Sequence, residues 1–65
     1  MTQNEKVLKY MREHGSITAL EAVMCLRILR LSARICDLRR SGHKIVGITE
    51  HSDGSYYTRY RLVEE

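Results

Sequence analysis

Two Thr-x-x-Glu tetrapeptides, Thr2 to Glu5 and Thr18 to Glu21, set the strongest limits on how this 65-residue chain can fold. In each, the threonine hydroxyl and the glutamate carboxylate can satisfy orphan amides at a helix start, so each predicts a helix N-terminus. After the first, Val7, Leu8 and Met11 recur at helical spacing and His14-Gly15 closes the element. This predicts helix one over about Gln3 to His14, with the three apolar residues as candidate core. Ser16-Ile17-Thr18 is too short for a helix and predicts a single bridge of sheet or a short strand. The second box predicts a short helix over about Ala19 to Cys25, with Ala19, Leu20, Ala22, Val23 and Leu26 as its apolar face.

No glycine or proline marks a break at Leu26-Arg27-Ile28-Leu29. A turn is nevertheless expected there, because one helix from Ala19 to Ser41 would carry apolar positions around its whole cylinder. The third helix then runs from about Arg30 to Ser41. At ~100° per residue, Leu31, Ile35 and Leu38 form a buried stripe. Ala33, Cys36, Asp37 and Arg40 lie opposite, Arg30, Arg34 and Arg39 lie on the flanks, and Gly42 ends the helix. From His43 to Thr49 the chain is β-branched. His51 to Gly54 is a turn cluster with Asp-Gly at the hairpin position, and Ser55 to Val63 returns as a strand. Alternation assigns Tyr56, Thr58, Tyr60 and Leu62 to one face, with Tyr56 and Tyr60 in the core. Tyr57, Arg59, Arg61 and Val63 fall on the other.

Composition narrows the function classes. No apolar stretch approaches the ~20 residues that cross a bilayer, and the start lacks a basic segment followed by an apolar run, so no signal peptide or membrane role is expected. Two cysteines do not make the framework of a small secreted domain. Free thiols in a cytoplasmic protein are the expectation, with Cys25 in the core and Cys36 partly exposed. Cys25 and Cys36 with His14, His43 and His51 lack structural zinc spacing, so no metal is expected. His51-Ser52-Asp53 holds triad residue types in adjacent positions that cannot form triad geometry, and there is no glycine-rich phosphate loop. No enzyme and no cofactor is expected.

Net charge is +3, and eight of the eleven Lys and Arg residues are Arg. Arg is suited to bidentate phosphate and guanine contacts. Arg30, Arg34, Asp37, Arg39 and Arg40 give helix three a net +3, equal to that of the whole chain.

Two helices around a tight turn, followed by a hairpin, make the layout of a winged helix-turn-helix. Three runs carry a resemblance: Gly15-Ser16-Ile17-Thr18-x-Leu20-Glu21-Ala22, then Arg30-Leu31-Ser32-Ala33-Arg34-Ile35-x-Asp37-Leu38-Arg39-Arg40-x-Gly42-x-x-Ile45, and Tyr57-x-Arg59-Tyr60-x-Leu62. Together they cover nearly the whole chain, and the middle run is the most specific. The sequence resembles a family of very small helix-turn-helix proteins common in bacteriophages and prophages. The resemblance implies a mainly α (α+β) fold of three helices plus a C-terminal β-hairpin wing, and a DNA-binding role in a bacterial cytoplasm. One departure is Arg27, where many relatives have a glycine at the turn.

A recognition helix needs an apolar back and an outward face of small residues and Arg that fits a major groove ~12 Å wide. Ser32 and Ala33 supply the small residues, and Arg30, Arg34 and Arg40 the donors. Asp37 stands three residues from both Arg34 and Arg40, placed to pair with either or to accept from a cytosine amino group. Arg39 lies nearer the core and is expected to brace the fold. Arg27 and Lys44 are candidate phosphate contacts, and Tyr57 and Arg59 candidate wing contacts. Ordinary surface exposure explains the same arginines without DNA. A phage effector that docks this basic face on a host protein, such as an anti-CRISPR-like inhibitor, remains the alternative reading. A transcriptional regulator and an architectural factor both remain open within the DNA class. A homodimer is also open, with Tyr10 as a candidate contact.

Overall fold

A computed structural model describes residues 1–63. The elements follow in the order α1 (Gln3–His14), β1 (Ser16–Thr18), α2 (Ala19–Glu21), a π-helical segment (Ala22–Leu26), α3 (Leu31–Arg40), β2 (Ile45–Ser52) and β3 (Ser55–Leu62). Both capping boxes form. Thr2 Oγ1 accepts from the Glu5 amide at 3.1 Å while Glu5 Oε1 accepts from the Thr2 amide at 3.1 Å. Thr18 and Glu21 repeat the exchange at 3.2 and 3.0 Å. At the far end of α1, Gly15 takes φ 87° and its amide bonds the Met11 carbonyl.

The segment from Ser16 to Thr18 is a short edge strand of three residues. Ser16, Ile17 and Thr18 pair with Arg61, Tyr60 and Arg59, and the antiparallel sheet runs β1-β3-β2. Asp53 and Gly54, both at positive φ, make the tight turn of the β2-β3 hairpin. Gly47 sits directly across from Tyr60. A Cβ there would come within 3.2 Å of Thr58 Cγ2, a tight contact, and would touch the Tyr60 ring at an ordinary 3.7 Å, so the glycine makes room chiefly for the Thr58 methyl.

The core gathers Val7 and Met11 of α1, Ile17 of β1, Ala22 and Ile28 around the turn, Leu31, Ile35 and Leu38 of α3, and Ile45 of β2. Leu8, Tyr10, Leu26, Tyr60 and Leu62 pack against it. Arg39 braces α3 to the sheet as expected: its Nε and Nη2 donate to the Ile45 carbonyl at 3.1 and 2.9 Å. Its guanidinium carbon also lies 6.0 Å from the Tyr60 ring centre.

Three burial expectations fail. Tyr56 is 76% exposed. An eight-residue strand is about 26 Å long, and the core covers only the end of the hairpin near Ile45 and Leu62, so Tyr56 stands against His51 beyond it. Cys25 is exposed, its sulfur 3.9 Å from Tyr10 Oη. Leu20 and Val23 are also exposed, at 70% and 37%. Helix two contributes only Ala22 and Leu26 to the core side, and a 100° step places Leu20 and Met24 on the opposite side of the cylinder.

Helix two also ends differently from its prediction. The chain widens into the π-helical segment, and Arg27 closes it in the left-handed conformation, φ 57° and ψ 37°. The Ile28 amide reaches back to the Ala22 carbonyl at 3.0 Å. Arg27 thus performs the backbone task that glycine does at lower cost. α3 ends conventionally: Gly42 is at φ 100°, with His43 N bonded to Leu38 O and Gly42 N to Arg39 O, both at 3.1 Å.

Candidate nucleic-acid interface

The turn from Arg27 to Arg30 delivers the chain into α3, whose stripe of Leu31, Ile35 and Leu38 is buried. That anchoring fixes which side of the helix meets solvent. Ser32, Cys36 and Arg40 are exposed there, Ala33 is half-buried, and Arg30 is exposed at the N-cap position. Arg34 Nη2 pairs with Asp37 Oδ2 at 3.3 Å. The pair neutralises the one carboxylate on this face, while Arg34 Nε has no hydrogen-bond partner among the described residues. Arg30 and Arg40 have no ion-pair partner among the described residues.

The start of α3 differs from the other two helix starts. α1 and α2 are closed by reciprocal capping boxes, whereas the Arg30 side chain makes no cap hydrogen bond. The first amides of α3 therefore lack a side-chain acceptor, at the end of the helix where the dipole favours an anion. The open start of α3 is not marked by any of the sequence-predicted contacts. Its signal was present: neither Leu29 nor Arg30 is a capping residue type.

The structure groups the candidates unevenly. Arg30, Ser32, Ala33, Arg34, Asp37 and Arg40 come together on α3, with Arg27 exposed at the turn that leads into it. Lys44 is exposed just past the end of α3, where its carbonyl accepts from the Val63 amide at 2.8 Å. Tyr57 and Arg59 lie on the outer face of the sheet, opposite to Tyr60 and Leu62, and are not joined to the α3 surface. The Arg59 guanidinium is engaged within the chain. Nε meets Glu50 Oε1 at 2.8 Å, and Nη1 meets Ser16 Oγ at 3.1 Å and Glu21 Oε1 at 3.6 Å. Glu50 holds the Arg59 pKa above its ordinary value. In turn, hydrogen bonds from Arg59 and then Tyr57 hold the Glu50 carboxyl below the ordinary carboxylate range. A wing contact by Arg59 would have to break this set.

The family model for the winged helix-turn-helix domain matches residues 2–65. The chain belongs to that family. In the terms of a winged helix-turn-helix domain, the π-ended helix and α3 are the two arms of the helix-turn-helix, and β2-β3 is the wing. Comparison with curated proteins and with solved structures returned no match. No helix among the described residues of this winged helix-turn-helix domain is long and apolar enough to cross a membrane.

Proposed function

We propose that this winged helix-turn-helix protein binds double-stranded DNA by inserting α3 in the major groove. The observation that carries the reading is the pair Arg30 and Arg40, exposed and without ion-pair partners among the described residues, on a helix whose opposite stripe is anchored in the core. Ser32 and Ala33 allow close approach to base edges, and the uncapped first turn of α3 offers amides to a phosphate beside Arg30. Arg27 and Lys44 add phosphate contacts at the two ends of the helix. Asp37, already paired with Arg34, does not oppose the DNA as a lone carboxylate would. Arg34 itself is partly spent, which leaves Arg30 and Arg40 as the principal donors.

The protein acts by binding alone, as a small phage-type regulator or architectural factor. Fluorescence anisotropy on duplexes selected from a random library tests the proposal. Affinity falls steeply as salt rises, because phosphate contacts release counterions. Salt-independent binding, or no binding at low ionic strength, overturns it. The selected pool separates a sequence-specific regulator from an architectural protein with modest preference.

A further inference from the structure

The sheet runs β1-β3-β2, so β1 and β2 are its two edges. β1 is three residues long, and a very short edge is one way proteins block unwanted pairing. β2 has eight residues, pairs with β3 without a bulge from Ile45 to Ser52, and contains no proline or lysine. Its single carboxylate, Glu50, is held by Arg59 Nε. The usual defences of an edge are therefore missing from β2.

Register shows which backbone groups point away from the sheet. The Val63 amide bonds the Lys44 carbonyl, so these two residues form a hydrogen-bonded pair and the pattern alternates from there. Val46, Ile48, Glu50 and Ser52 turn their N–H and C=O groups toward β3. Ile45, Gly47, Thr49 and His51 turn theirs outward. At Ile45 this is seen directly, because its carbonyl accepts from Arg39 Nε and Nη2. Gly47, Thr49 and His51 are exposed, and their outward groups have no backbone partner among the described residues.

A row of alternating N–H and C=O groups at strand spacing is complementary to one kind of occupant, another extended backbone. Two features make that backbone a second copy of β2. The free residues are symmetric about Thr49. Antiparallel pairing with Thr49 opposite Thr49 sets Gly47 opposite His51, so every free group of both copies finds a partner while the Ile45 carbonyl keeps Arg39. The same register carries Asp53 of one copy to Ile45 of the other, beside Arg39. Asp53 has no hydrogen bond or ion pair among the described residues, and Arg39, which bonds a neutral carbonyl, has no carboxylate partner among them. The two-fold axis repeats this charge match at both ends of the ladder. Thr49 against Thr49 is itself a favourable cross-strand pair, and a two-fold contact of one surface with itself is the commonest form of association.

We propose that the free edge of β2 pairs with the β2 edge of a second copy, antiparallel about Thr49, to join the two sheets into one. The proposal uses no residue assigned to DNA, and its test contains no DNA. Sedimentation equilibrium from about 1 µM to about 1 mM, the range of a weak contact, reads the mass directly. The wild-type mass rises with concentration from the 7.6 kDa of one chain toward twice that value. Amide hydrogen exchange over the same range slows at Gly47, Thr49 and His51 as the mass rises, because their outward N–H groups gain acceptors. Thr49→Pro removes the central outward N–H, a change that an edge strand tolerates. Thr49→Lys sets like charges directly opposite each other on the axis. Both variants keep the circular dichroism spectrum of the wild type and stay at 7.6 kDa throughout. Thr49→Lys is the independent arm if the proline variant does not fold. Asp53→Asn keeps the hairpin turn and weakens association on the order of fivefold, as expected for two exposed ion pairs. A wild type that remains monomeric at every concentration overturns the proposal. So does association that leaves the three amides unprotected, or that survives Thr49→Lys.

Discussion

The face of α3 and the outer face of the hairpin carry the same residue type in opposite circumstances. On α3, Arg30 and Arg40 project into solvent with no ion-pair partner among the described residues. On the hairpin, Arg59 is held by Glu50, Ser16 and Glu21, from β2, β1 and helix two. Alternation along β3 correctly puts Arg59 on the outer face, but it cannot say whether that face supplies a carboxylate. Register supplies it: Glu50 stands opposite Tyr57, two pairs along from Arg59 and so on the same side of the sheet. The difference teaches that an arginine is available to a ligand only where its own fold leaves it unanswered. By that criterion α3 is the surface proposed for DNA, and Arg59 is a clamp within the fold.

The largest effect is expected on α3. Arg30→Ala combined with Arg40→Ala removes two direct contacts worth ~1–3 kcal/mol each, so DNA affinity falls on the order of 100-fold. Anisotropy titrations at fixed salt measure this, and the slope of affinity against salt becomes shallower. Arg59→Ala is the reciprocal experiment. It breaks a charged hydrogen-bond set that is partly solvent-screened, for a loss of about 1 kcal/mol in folding stability, while DNA affinity of the folded fraction changes less than about threefold. If Arg59→Ala costs as much DNA affinity as the α3 pair, the division between binder and clamp is broken.

A smaller effect separates the two ends of the helix-turn-helix. Gly42 and Arg27 both take left-handed backbone, but only glycine does so without a steric cost. Arg27→Gly relieves that strain and, after the added freedom of the unfolded chain, stabilises the protein by about 0.5 kcal/mol. Thermal unfolding reads the gain. DNA affinity drops modestly in the same variant, because a phosphate contact is lost along with the strain. A drop in melting temperature would show that the arginine side chain does more for the turn than its backbone costs.

Much of this was legible in the sequence because it was written locally. Thr2 and Thr18 with their glutamates named two helix starts, Gly15 and Gly42 two ends, Asp53-Gly54 the hairpin, and the spacing of Leu31, Ile35 and Leu38 the buried stripe of α3. What was not legible depends on distance in space. The exposure of Tyr56 follows from where the core stops beneath a long hairpin, which strand alternation does not encode. The widening of helix two over Ala22–Leu26 accompanies a turn that buries Ile28, and no breaker residue announces it. Periodicity toward the core predicts one buried apolar face for helix two and carries no sign of the exposed apolar residues Leu20 and Met24 on its far side. On α3, the arginine positions were visible, but the commitment of Arg34 to Asp37 reduced the donor set to fewer residues than the sequence suggested.

The finest test of the clamp is its response to acid. The Glu50 carboxyl is held below its ordinary range chiefly by the hydrogen bond from Arg59, then by that from Tyr57. A carboxyl whose pKa is lower in the folded chain than in the unfolded one binds fewer protons when folded, so its contribution is complete above the unfolded value and disappears as pH falls through the folded one. The window therefore opens near the ordinary glutamate value, about 4.3, and extends below it. Melting temperature should decline across that window in the wild type and decline less steeply in Glu50→Gln, which keeps a hydrogen-bond acceptor but cannot titrate. The capping carboxylate of Glu5, lowered by its bond to the Thr2 amide, contributes to the same window in both proteins, so only the difference between the two curves belongs to the clamp. Identical slopes would mean that Arg59 and Glu50 are neighbours in the fold without being coupled in its stability, and the contrast with α3 would then rest on geometry alone.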